Sequence, residues 1–198
     1  LLVQYFTANT TDSQDLWKKA AEDAAVLKKM GATAVWFPPA TKGAQGKEDM
    51  GYAPYDLYDL GEFDQKGSVG TRYGTKDEYI AAIKAMKDQG INVYADIAVR
   101  QKLGADRIEK VTAADFNTKD IPQMIGNKKT VGALSKFTFP GRKSKYSKFK
   151  WNWKHFAGID WKQEEFKKRV CALEGKDYDE ADKEYSKLSL IHISEPTR

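Results

Sequence analysis

Two stretches of the chain obey one grammar, and it limits the fold more than any other feature. AVLKKMGATAVWFPPA (25–40) and IKAMKDQGINVYADIAV (83–99) each run from an amphipathic segment through a glycine into an uninterrupted apolar run. Period 3.6, a glycine stop and then a continuous Val/Ile/aromatic run predict helix, turn and buried strand. Upstream, LLVQYF (1–6) has strand character, and LWKKAAEDAAVLKKMG (16–31) puts Leu16, Ala20, Ala24 and Leu27 on one face. Thr11, Asp12 or Ser13 can cap that helix, and Gly31 stops it. Pro38 and Pro39 end the second strand. A second helix, TKDEYIAAIKAMKDQG (75–90), presents Tyr79, Ile83 and Met86 inward and stops at Gly90.

The first hundred residues therefore read strand, helix, strand, long loop, helix, strand, a pattern of parallel strands covered on both faces. Neither G-x-G-x-x-G after the first strand nor G-x-x-x-x-G-K-[ST] occurs, which disfavours a nucleotide-binding sheet and moves a (β/α)8 barrel ahead. After Gly104 the rhythm changes to short polar pieces and the aromatic stretch KYSKFKWNWKHFAGIDW. The expected organisation is an N-terminal part of a barrel over residues 1–104 and an irregular insertion over 105–188. The closing SLIHISEPTR (189–198) matches nothing before it. It is expected to be a non-native, adapter-derived tail, in which His192 has no role.

Composition closes several alternatives. One cysteine, Cys171, precludes an internal disulfide. No apolar stretch has the roughly 20 residues of a membrane span, and no signal peptide is visible. Cytoplasmic and secreted settings stay open. The chain opens on Leu1, so its natural start is expected upstream. The net charge of +5 is uneven: residues 128–154 hold nine Lys/Arg and no Asp or Glu, interleaved with Phe137, Phe139, Tyr146, Phe149, Trp151 and Trp153. Such a run can grip single-stranded nucleic acid, or be a solvated face over aromatic packing. The second is the expectation: no nucleic-acid partner and no membrane.

In a parallel barrel, chemistry sits at strand C-termini and the loops after them. That nominates residues 7–9, the loop 41–74, and the 96–101 stretch, with Asp49, Asp56, Asp59, Glu62, Asp64 and Asp96 as carboxylates. Each is a structural acid or a working one; Asp96, at a strand end, is the most exposed to that question. Tyr52, Tyr55 and Tyr58 recur every third residue and either stack on sugars or fill the loop's own core. The same alternatives hold for Trp151, Trp153 and Trp161. No Cys pair, H-E-x-x-H or D-x-D-x-D-G loop is present. His155 and His192 are the only histidines, which leaves a Ser-His-Asp arrangement poorly supported.

Three long words carry a resemblance. GYAPYDLYDLGEFDQKGSVGTRYGTKDEYIAAIKAMKDQGINVYAD, GATAVWFPPATKG and FTFPGRKSKYSKFKWNWKHFAGIDW resemble, in order and over residues 3–161, the N-terminal region of the α-amylase family of glycoside hydrolases, liquefying bacterial and cytoplasmic type. The resemblance implies a (β/α)8 barrel with a domain B after the third strand. It also implies retaining hydrolysis of α-1,4-glucans by two carboxylates about 5 Å apart. In that family the nucleophile and acid lie on later strands, so none is assigned here and this chain alone should not catalyse. Tyr52 falls on the sugar-stacking tyrosine. Asp96 is the Asp of D-x-x-x-N-H, supporting the active-site network, and Gln101 replaces the sugar-contacting His. Arg100 replaces an Asn that helps hold calcium. Ala157 replaces the Asp of HFDG beside the metal cluster, and Ala8 the Trp of QYF-x-W. Calcium is usual in the family, but these ligands are altered. The implied partner is an α-glucan polysaccharide or maltooligosaccharide. A non-catalytic glucan-binding relative is the alternative. Three barrel strands alone leave edges unpaired and should fold poorly.

Overall fold

The computed structural model describes residues 1–7, 10, 13–117, 123–162, 167–174 and 190–191. The chain divides into two compact units: Leu1–Ala98 with Pro140–Ser147, and Val99–Phe139 with Lys148–Arg198. The division thus falls ahead of Gly104, and a short later segment returns to the first unit.

In chain order the first unit comprises β1 (Leu2–Gln4), α1 (Leu16–Lys29), β2 (Ala34–Phe37), β3 (Lys42–Gly43), β4 (Pro54–Asp56), α2 (Lys76–Asp88) and β5 (Asn92–Ala95). The three apolar runs lie side by side as β1-β2-β5, all parallel, with Val3 beside Val35 and Val35 beside Val93. β3 and β4 form a short antiparallel pair inside the long loop.

Both helices leave through a left-handed glycine that lets the chain reverse into the next strand. Gly31 (φ +87) donates to the Lys28 carbonyl and Ala32 to Leu27. Gly90 (φ +68) donates to Lys87 and Ile91 to Met86. At the other end, α2 carries a capping box: Glu78 N–H donates to Thr75 Oγ1, and Thr75 N–H to the Glu78 carboxylate. The cap of α1 is not Ser13 but Asp15, without a side-chain capping bond; Thr11 and Asp12 lie outside the described residues.

The core differs from the expected stripe by one bulky residue. Trp17, not Leu16, is wholly buried, alongside Ala20, Ala24 and Leu27. Both positions satisfy the helical spacing. The larger ring takes the site where Phe37, Tyr73 and Tyr79 converge, at centroid distances of 5.3, 5.5 and 4.7 Å. On α2, Ala82 joins Tyr79 and Met86, and Ile83 is half-buried. Cover on both sheet faces, expected from the apolar runs, fails at the outer strands. Leu2 is 57% and Tyr94 59% exposed, because nothing described in this unit packs over them.

The second unit is a sheet, not the irregular insertion expected. It contains β6 (Arg107–Asn117), β7 (Gln123–Lys136), β8 (Gly158–Lys162), β9 (Lys167–Leu173) and β10 (Leu190–Ile191), in the order β10-β8-β9-β6-β7. All neighbours are antiparallel except β10 with β8. The strands escaped notice because their buried positions are small: Ala113, Ala114, Ala133, Ser135 and Ala172 beside Val111, Val131 and Leu173. Packing in register, not hydropathy, makes them strands. Phe137, Phe139 and Phe156 complete this core. Of the supposed tail, Leu190 and Ile191 pair beside Gly158 and Ile159; His192 lies outside the described residues.

Candidate functional site

The site forms where the parallel sheet ends. Asp96 follows β5 directly, and its amide still donates to the Phe37 carbonyl at 3.1 Å, so the ladder orients the residue. Tyr52, 41% exposed, reaches in from the loop and donates its hydroxyl to Asp96 Oδ2 at 2.7 Å. Burial, then the hydrogen bond to the Asp96 carboxylate, push the Tyr52 phenol well above its ordinary range. It therefore stays a protonated donor at any physiological pH, on a residue that remains exposed. A cavity of about 300 Å³ opens beside Asp96, lined also by Thr41, Leu57, Leu60, Tyr79 and Ile97 among others.

The backbone holding Tyr52 is locked by its neighbours. Gly51 sits at φ +91, and a Cβ there would stand 2.7 Å from the Pro39 carbonyl oxygen. The buried Asp49 accepts from Gly51 N–H at 2.8 Å. Tyr73, its phenol raised to about 12 by burial, donates to the Met50 carbonyl. Arg72 donates to the Glu48 and Thr10 carbonyls.

The other candidate carboxylates of the loop are structural. Asp59 Oδ1 accepts from the amides of Gly61 and Glu62, and its Oδ2 from Gln65. Asp56 accepts from Gln65 at 3.1 Å and from the buried Arg142 at 2.6 Å. The Arg142 guanidinium also donates to the Lys145 and Ser147 carbonyls, so the returning segment Pro140–Ser147 is tied to the loop. Glu62 binds Lys145, Lys76 and Tyr146, and these contacts pull its carboxyl down to about 2. Asp64 is exposed. Tyr55 is core and Tyr58 lies under Arg142.

The structure thus brings Tyr52 and Asp96 together. Arg100, exposed, and Gln101, half-buried, belong to the second unit, as does Ala157, whose carbonyl accepts from Leu173. Ala8, Asn9 and the Trp161 side chain lie outside the described residues; Thr7 N–H donates to Thr10 Oγ1. Within the basic run, Arg142 is buried, Lys145 pairs with Glu62, and Lys150 and Lys154 lie over Phe139 and Trp153. Phe149, Trp151 and His155 pack edge to face, and His155 Nδ1 accepts from Asn152 N–H. Among the described residues no three His, Cys, Asp or Glu converge as a metal site, and no helix is long and apolar enough to cross a membrane. Calcium needs clustered oxygen donors. The side chains of Arg100 and Ala157 bring no oxygen. Sequence reasoning missed Lys42 and Arg142, charged residues that are wholly buried. Each stands beside a glycine, Gly43 or Gly141, where an added Cβ would collide with Asp49 or with the Asp64 carbonyl, a close approach visible only in the fold.

No protein-family model matches the chain. It is 46% identical over 178 residues to an alpha-amylase of Bacillus licheniformis, covering 90% of this chain and 35% of that one. It is 42% identical over 159 residues to the cytoplasmic alpha-amylase of Escherichia coli K12, covering 80% and 32%. The chain spans about a third of the length of these curated relatives. Among solved structures, alternansucrase in complex with isomaltotriose superposes with a TM-score of 0.51 at 23% identity, over 68% of this chain and 13% of that one.

Proposed function

The chain belongs to the α-amylase family as a partial-length member, and from that premise we propose that it supplies the sugar-contact corner of an α-1,4-glucan hydrolase. Three parallel strands with two helices on one side are the opening third of a (β/α)8 barrel, and the antiparallel unit is its inserted domain. The exposed side chains of Leu2, Tyr94, Ile97 and Val99 are where later strands and helices belong.

The observation that carries this reading is the 2.7 Å bond from Tyr52 to Asp96 at the sheet's C-terminal end. It fixes the phenol ring so that a glucose ring can stack on it, and it leaves a carboxylate anchored at the strand end where polar sugar groups would arrive. Gln101 stands where the family has a sugar-contacting His; it can donate a hydrogen bond but cannot become cationic as a histidine can. Retaining hydrolysis needs a nucleophile and an acid about 5 Å apart. Those two carboxylates belong to later strands, so the residues here bind and orient without cleaving. Calorimetric titration of this chain with maltoheptaose tests the reading. Binding should weaken about tenfold in Tyr52→Ala, the loss of one stacked ring. Unchanged affinity in that variant contradicts it.

Arg100, Gln101, Ala157 and Ala8 favour a second reading, a relative that binds glucan without cleaving it. The two separate in a protein extended through the catalytic strands. Gln101→His with Ala8→Trp raises starch turnover in a weak hydrolase and changes only affinity in a non-hydrolysing binder. Arg100, where the family has an Asn that helps hold calcium, further implies a protein that calcium does not stabilise. Added calcium should leave the melting temperature of that protein unmoved.

A further inference from the structure

The most unusual group outside the sugar-contact corner is the Lys42 ammonium. Its side chain is wholly buried, yet it lies in a loop rather than a hydrophobic core. Nζ meets the carbonyl oxygens of Ser68 and Val69 at 2.6 Å, Phe63 at 3.2 Å and Gly70 at 3.3 Å. Asp59 Oδ2 stands at 3.7 Å. An ammonium has three protons, so five oxygens exceed what directed hydrogen bonds can use. The arrangement is that of a coordination shell around a sphere of positive charge.

The shell is built by the backbone. Lys66 and Gly67 both take left-handed conformations (φ 55 and 79), turning the chain so that three successive carbonyls, from residues 68 to 70, converge on one point. Gly46 lets that turn close, since a Cβ there would lie 2.2 Å from the Lys66 carbonyl oxygen. Asp59 also receives the Lys42 amide on its own carbonyl at 2.7 Å. Converging carbonyls repel one another unless a cation lies between them. Burial, set against Asp59 and the carboxylates of Asp64 and Asp56, lowers the Lys42 ammonium's affinity for its proton. The cage opposes that trend by offering oxygen on every side.

We propose that the loop 41–74 is organised around an oxygen-lined cation site whose resident is the Lys42 ammonium, and that this site takes up a free primary alkylammonium ion when the side chain is removed. The inference goes beyond glucan binding and does not depend on it. Lys42→Ala deletes Cγ, Cδ, Cε and Nζ, the atoms of propylammonium. Thermal unfolding of Lys42→Ala is followed with propylammonium chloride and, at equal ionic strength, tetramethylammonium chloride, which has the charge but no N–H. Propylammonium should raise the variant's melting temperature by about 3 °C or more while leaving the wild-type chain unmoved. Tetramethylammonium should raise neither. If Lys42→Ala does not fold in buffer alone, refolding yield with each salt gives the same comparison. No gain with propylammonium, or an equal gain with tetramethylammonium, overturns the proposal.

Discussion

The first unit is held together in two contrasting ways. Between sheet and helices, Trp17, Phe37, Tyr79, Ala82 and Met86 exclude water with apolar surface. In the loop beyond the sheet, the interior is charged: Lys42 with Asp59, and Arg142 with Asp56. An apolar layer tolerates change in proportion to the volume removed. A buried charge network does not, since deleting one partner strands the other. The loop that presents Tyr52 is therefore held by groups that depend on one another for their partners.

The sharpest break between the two regions is a pair of double variants. Arg142→Met should cost about 3–5 kcal/mol in denaturant unfolding, because the buried Asp56 loses the guanidinium that balances its charge. Adding Asp56→Leu should recover much of that loss, since both charges are then gone. Trp17→Ala should cost a similar 3–5 kcal/mol, but adding Tyr79→Ala should deepen the loss. Recovery in the apolar pair, or none in the charged pair, would dissolve the distinction.

Smaller effects refine it. Thr75→Ala removes one half of the α2 capping box and should cost about 1 kcal/mol by the same measurement. Least of all comes the exposed cluster at Glu62, whose carboxyl is pulled to about 2, first by Lys145 and then by Lys76 and Tyr146. Its folded value lies below the ordinary 4.5. Its contribution is therefore complete above that pH and is lost as pH falls toward about 2. Stability measured across that acid window should fall less steeply in Glu62→Gln than in the unchanged chain.

The two regions were also unequally legible in the sequence. Strand, helix and strand could be read because apolar periodicity and the stops at Gly31 and Gly90 are local signals. Trp17 displaced Leu16 only because the spacing allowed both, and tertiary shape chose the larger ring. Asp96 was a candidate from its strand end and Tyr52 from its aromatic ring, and the resemblance singled both out; nothing in the spacing of residues 52 and 96 foretells a 2.7 Å bond. Arg142 reaches Asp56 across 86 residues, so its burial is set by a partner that no local window contains. The antiparallel unit was misread because alanine, serine and glycine fill its interior, and they carry little hydropathy to mark a strand.

The proposal with most at stake is that a glucan is held at Tyr52 and Asp96 by residues that bind it without cleaving it. Proton NMR of the chain mixed with maltoheptaose tests both halves together. The account predicts shifted Tyr52 ring resonances and anomeric signals of the sugar that do not change with time. Tyr52 resonances that stay in place, or new reducing-end signals that grow during incubation, would contradict it.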